Sequence, residues 1–195
     1  MIYLSVKIDR IVLGITGTNG AGKGTIVDFL VKEEAFEHFS ASGLITEEII
    51  KRKMPVNREM MIMVANDLRT KFGSGFIVEE LLRRAQKCQK KTVIESIRTI
   101  GEVKKLKNIG GILLAIDADQ KLRYQRILLR GSSKDMVTFE EFADQEKREK
   151  ESDDPNKQNL LACKKAADYL IKNNGSMEEL HREIEKLLVK IKNNE

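Results

Sequence analysis

Five glycines fall within the twelve residues Gly14 to Thr25, GITGTNGAGKGT, directly after the apolar run Ile11 to Leu13. No other stretch restricts the fold so tightly. A short apolar run bounded by charge and glycine reads as a buried strand, and the pattern from Lys23 onward reads as a helix, so the glycines form a strand-to-helix turn. At such a turn the first N–H groups of the helix lack partners within it, and the helix dipole adds partial positive charge. An anion is the natural occupant. Gly17, four residues, then Gly22 and Lys23 give the spacing of a phosphate-binding loop: glycines let backbone amides approach the phosphates, and the lysine supplies a mobile cation. Gly17, Asn19, Gly20, Ala21, Gly22, Lys23, Gly24 and Thr25 are the candidate contacts. The motif usually places Ser or Thr directly after the lysine; here Gly24 follows, and Thr25 comes one position later.

The rest of the chain alternates in the same way. Arg10 to Thr16, Thr92 to Ser96 and Gly111 to Asp117 read as buried strands, with Phe36 to Ser40 and Asp168 to Lys172 as shorter ones. Helical patterns cover about Lys23 to Glu33, Glu59 to Phe72, Ile77 to Gln89, Ile100 to Lys107, Gln120 to Leu129 and Met177 to Ile191. This alternation predicts one α/β domain over residues 1–195 with a mostly parallel sheet. The polar stretch Lys147 to Gln158 is linker-like but separates no domains. Cys88 and Cys163 stand outside any CxxC pattern, so a reducing cytoplasm is the expected setting. Charges at Lys7, Asp9 and Arg10 come too early for an export signal, and no apolar run reaches membrane-spanning length. The net charge of +5 is spread along a chain of which 33% is charged. That excess fits a small phosphorylated ligand and does not imply nucleic acid.

The ending GKGT resembles that of adenylate kinase and its nucleoside monophosphate kinase relatives. HFSASGLI (His38 to Ile45) looks like the segment entering their monophosphate-binding region. VIESIRT (Val93 to Thr99) is similar to their third strand, which ends in an acidic residue with an arginine shortly after it. RILLR (Arg126 to Arg130) resembles their pair of lid-flanking arginines. In wording the chain also resembles the kinase-like N-terminal region of some deoxycytidylate deaminases, through GTNGAGKGTIVDFL, FSASGLI, NDLRTKFG, VIESIRTIGEV and DMVTFEEF. The zinc signature HxE with PCxxC is absent, so no deaminase follows from it. Dephospho-CoA kinase shares the RxxxR and AD..I.N.G features. The resemblance implies a P-loop kinase fold, three-layer α/β/α with a mostly parallel five-stranded sheet, an acceptor-binding insertion at about 41–90 and a small lid at about 126–150. It implies ATP and Mg2+ as cofactors and a small-molecule nucleotide as substrate.

The chemistry of phosphoryl transfer assigns roles to particular residues, because it requires alignment of the two substrates and neutralisation of spread negative charge. Lys23 is the loop cation. Glu95, closing a strand beside the loop, can hold magnesium through water, with Thr25 as the hydroxyl partner; Asp117 at the end of GILLAID is a rival carboxylate. Arg126 and Arg130, four apart on one helix, are expected to act on the transferring group. Arg98 is expected at the acceptor's phosphate; by the resemblance, Ser40 and Arg69 lie beside it in a region that also holds Arg58 and Asn66. By the resemblance, Asn174 and its neighbours Asn173 and Gly175 lie near the adenine. His38 and His181 read as structural or surface residues, and Met54, Met60, Met61 and Met63 as core filler.

An alcohol acceptor needs a carboxylate base, whereas a phosphate acceptor is already ionised and needs arginines. Dephospho-CoA kinases carry aspartates just after the second strand. This chain offers Ser40, Ser42 and Gly43 there, and no carboxylate until Glu47. The expected activity is therefore ATP-dependent phosphorylation of a nucleoside monophosphate, a deoxy one first, with dephospho-CoA kinase and a non-catalytic ATP-binding sensor as the competing readings.

Overall fold

β1 (Val12–Gly17) carries the apolar run, and all but its last residue are buried. In the computed structural model, which describes residues 10–131 and 137–193, it is the central strand of a five-stranded parallel sheet. The order is β2-β3-β1-β4-β5, with β2 at Glu37–Ser40, β3 at Thr92–Glu95, β4 at Ile112–Asp117 and β5 at Tyr169–Lys172. β1 pairs with β3 on one side and β4 on the other, so connections diverge at its carboxyl end. A crevice forms outside the strand ends at such a switch point, and the glycine loop opens into it.

Alternation along β1 feeds two cores. Leu13 and Ile15 pack with Ile26 and Leu30 of α1 (Lys23–Lys32) and with Ile184 and Leu188 of α9 (Met177–Asn193). Val12, Ile94 and Leu113 pack on the other face against α2 (Ala41–Lys51), α3 (Arg58–Phe72), α4 (Phe76–Ala85), α5 (Ile100–Lys107) and α8 (Leu160–Lys165). Between Val12 and Ile15, Gly14 also faces this second core. A Cβ there would run into Leu106 of α5 and into Ile97, so the glycine supplies room rather than flexibility. The outcome is the expected three-layer α/β/α sandwich. α6 (Gln120–Arg130) and α7 (Phe139–Lys150) stand over the carboxyl ends of the strands, joined by Tyr124 against Phe139 and Phe142.

Strand positions match the sequence expectations within a residue or two, but three helices depart from them. α2 occupies FSASGLI and its sequel, capped by the Ser40 hydroxyl, which accepts from Gly43 N. α7 starts with a capping box, Thr138 with Glu141, and includes the start of the linker-like stretch; α8 follows soon after. The box between Ser176 and Glu179 ahead of α9 forms as the sequence suggests. Part of the expected lid, 132–136, and with it Asp135 and Met136 of DMVTFEEF, lies outside the described residues, as do residues 1–9 and 194–195. Among the described residues no helix is long and apolar enough to cross a membrane.

Candidate active site

The loop closes on its own lysine. Gly17, Gly20 and Gly22 all have positive φ, 143°, 77° and 103°, which only glycine adopts without strain, and Gly22 serves as N-cap of α1. No side chain caps α1 and no acidic residue lies in its first turn, so its leading N–H groups remain available to phosphate oxygens. Lys23 Nζ donates to the carbonyls of Gly17 (2.9 Å) and Thr18 (2.8 Å). Burial pushes its pKa down to about 7, helped by the nearby Arg98 guanidinium and opposed by Glu95 and Glu149. Negatively charged phosphates entering the loop would restore its proton.

Beside Lys23 lies a cavity of about 400 Å³ whose lining includes Asn19, Ser42, Arg58, Arg69, Glu95, Arg98, Arg130, Glu149 and Gln158. Four arginines and the loop lysine thus face two carboxylates. Glu149, buried on α7, places Oε1 2.6 Å from Arg58 Nη2 and Oε2 3.0 Å from Arg98 Nη1. Burial alone would raise its pKa; the two guanidinium groups outweigh it and hold the carboxyl below the usual range. Arg98 Nη1 also donates to Gln158 Oε1 at 2.7 Å. Arg69 is almost fully buried, with Nε and Nη2 both 2.9 Å from Glu102 Oε1, while its Nη1 has no partner.

Glu95 ends β3 at the rim of this cavity, its Oε2 3.4 Å from His38 Nε2. Burial works to raise its pKa, yet His38, Lys23 and Arg98 together lower it, so it stays ionised. Ser96 follows with φ of 71°, a backbone position costly for a residue with a side chain. This turn brings Arg98 back toward Glu95 and the loop. One carboxylate with phosphate oxygens and water is a common magnesium arrangement, and the exposure of Glu95 to the cavity fits it. Among the described residues no cluster of three metal-binding side chains occurs.

Other expected residues are placed differently. Arg130 reaches Asn19 Oδ1 (3.1 Å) and lines the cavity, but Arg126 turns away to the carbonyl of Asn173 (2.9 Å). Residues four apart on a helix diverge by about 40°, and the two side chains end on different partners, Asn19 of the loop and Asn173 after β5. Thr25 does not meet Glu95; it lines a depression with Asp28, Phe29 and His181, because one extra position rotates a side chain by about 100° around α1. Asp117 is ion-paired with Lys164 in a separate cavity with Arg123 and Glu146, so of the two rival carboxylates only Glu95 shares a cavity with Lys23. Ser40 caps α2, leaving Ser42 to line the site. Asn174 accepts from Asp119 N at 2.9 Å, while Asn173 is buried beneath the loop. Glu149 and Gln158 escape the sequence reading, since neither belongs to a motif; Ser96 and His38 lie in VIESIRT and HFSASGLI, but the backbone turn of the one and the pairing of the other leave no mark in those letters.

A switch-point crevice with a glycine loop, a loop lysine and a parallel sheet of this order defines a P-loop domain of the kinase type. Residues 16–159 match the family described as AAA domain. A UPF0200 protein of Pyrococcus horikoshii is 30% identical over 187 residues, covering 92% of this chain and 97% of its own. One from Pyrobaculum aerophilum is also 30% identical, over 93% of this chain and 98% of its own. The chain belongs to the AAA domain family and to the UPF0200 proteins. Among solved structures, TT1252 from Thermus thermophilus superposes with a TM-score of 0.61 at 19% identity, covering 93% of this chain and 97% of that one. Shikimate kinase from Acinetobacter baumannii, in complex with shikimate, gives 0.53 at 19% identity over 95% and 96%. These likenesses establish the fold.

Proposed function

We infer that this protein transfers the γ-phosphoryl group of ATP to the phosphate of a nucleoside monophosphate, a deoxynucleoside monophosphate being the first candidate. The observation that carries the reading is the guanidinium lining of the cavity next to Lys23, where Arg58 and Arg98 converge on a single carboxylate. Such a lining suits an acceptor that is itself a phosphate.

In this reading the loop amides and Lys23 hold the β- and γ-phosphates, and Arg126 lies over the base beside the Asn173 to Gly175 turn. Arg98 and Arg58 grip the acceptor, with residues 41–90 supplying half of the cavity's lining. An acceptor phosphate oxygen forms a bond to the γ-phosphorus while the bond to the β–γ bridging oxygen breaks, and ADP departs. No proton need be removed, which agrees with Glu149 being held ionised between two arginines rather than poised as a base. Magnesium, held through Glu95, would neutralise charge on the transferring group. Arg130 supplies a further cation from α6.

Incubation with ATP, magnesium and a panel of acceptors, with products separated by mass, tests the proposal. A nucleoside diphosphate product is expected. Conversion of dephospho-CoA alone would overturn it, and tight ATP binding with no converted acceptor would favour a sensor.

A further inference from the structure

The helix that carries Glu149 is held in an uneven way. Its buried residues are Phe142, near the start, and Glu149, in the last turn. Phe142 packs on Tyr124, and Arg123 lies over its ring. Midway along, Glu146 pairs with Arg123 and accepts from Gln120 of α6, and Glu149 fastens the last turn through Arg58 and Arg98. Neither guanidinium belongs to α7 or to its neighbours in sequence.

The donors gathered there exceed what one carboxylate can satisfy. Each Glu149 oxygen takes one guanidinium N–H, yet Arg58 Nε and Arg69 Nη1 are buried without a partner, and both side chains line the cavity. A carboxylate brings one negative charge and two oxygens. A phosphate monoester brings between one and two charges and three oxygens, and it would serve this donor set better.

We propose that Glu149 stands in for the acceptor's phosphate, and that the acceptor enters by displacing this carboxylate from the Arg58–Arg98 pair and releasing the last turn of α7. The inference rests on the acceptor site described above. It makes Glu149 a specificity-determining residue. An acceptor without an anionic group at this point would leave two half-buried guanidinium groups without their carboxylate if it expelled Glu149, and would collide with the carboxylate if it did not. An acceptor phosphate replaces what it removes. Self-occupation also lowers apparent affinity by the fraction of molecules in the open arrangement.

The test uses the full chain with inorganic phosphate as the probe, followed by calorimetry and by amide hydrogen exchange. Glu149→Gln keeps the shape but removes the competing charge, so phosphate binding should tighten by about tenfold. In the unmodified protein, phosphate should speed exchange at residues 145–150, which a Glu149 that merely braces the fold would not allow. That exchange measurement needs no variant, so it decides the matter even if Glu149→Gln fails to fold. Unchanged or slower exchange there, or weaker phosphate binding by a folded Glu149→Gln, overturns the displacement. In a Lys23→Met background, which weakens phosphate at the glycine loop, phosphate binding indifferent to Arg98→Ala overturns instead the acceptor site on which it rests.

Discussion

Asn173 Nδ2 donates to the carbonyl of Ala21 at 2.9 Å, joining residues 152 apart in sequence and fastening the exit of β5 to the centre of the glycine loop. The contact is buried, and it also explains Gly22, where any Cβ would strike Asn173. Asn173→Ala should cost about 1–3 kcal/mol of stability by leaving that carbonyl without its donor. It should also weaken ATP binding, because the loop loses its brace. Denaturant unfolding and nucleotide titration read the two effects separately; an unchanged midpoint would remove Asn173 from the loop's support.

Lys23→Met keeps the length of the side chain and removes its charge. A transition-state contact of this kind is worth roughly a hundredfold or more in rate, so turnover should fall at least that far. Unaltered ATP turnover would place the phosphates elsewhere.

The lowered pKa of Lys23 gives a pH signature. The free protein carries charged Lys23 below about 7 and loses the proton above it, while bound phosphates favour the charged form. ATP affinity should therefore decline from pH 7.5 to 9, by up to about tenfold per unit, and binding at pH 8 should take up a proton. This window lies above the second ionisation of a phosphate, at about pH 6, so the ligand's own charge is constant. Calorimetry in buffers of different ionisation enthalpy measures the uptake; Lys23→Met should show none.

Arg98 and Arg130 in the cavity and Arg126 at the Asn173 turn should divide by substrate. Arg98→Ala is expected to raise chiefly the KM of the acceptor, Arg126→Ala that of ATP, and Arg130→Ala to lower kcat with little change in ATP affinity. Equal and small effects at all three would return them to ordinary surface ion pairs.

Glu102 anchors the turn that presents Arg98: its Oε2 accepts from Arg98 N at 2.7 Å and its Oε1 pairs with buried Arg69. Glu102→Ala should therefore destabilise by about 3–5 kcal/mol, as removal of one partner strands the other charge. Chemical denaturation checks this, and a loss under about 1 kcal/mol would contradict it.

What the sequence showed of this site followed from local periodicity and local spacing. Strands β1, β3 and β4 are continuous apolar runs because both faces are covered, and the loop is a contiguous motif; both kinds of signal survive without a structure. α7 was missed because it buries little besides Phe142 and Glu149, leaving almost no apolar stripe to detect, although its Thr138–Glu141 box lay in view. Arg69 illustrates the limit in another way. Its place in NDLRTKFG pointed to the acceptor, but only the fold shows that Glu102, 33 residues away, holds two of its nitrogens. Long-range pairings such as Arg58 with Glu149, 91 residues apart, have no local trace at all.

The missing side chain at Gly14 sets the spacing between the sheet and the α5 layer, and this spacing acts as a gauge for the cleft beside the glycine loop. Ile97, one of the two side chains a methyl group there would strike, binds Ile15 O through its backbone N–H and immediately precedes Arg98. A single added carbon deep in β1, away from the cavity lining, would thus be transmitted through Ile97 to the Arg98 guanidinium in the cavity. The tolerance of the site is set from beneath it, by a gap in the packing.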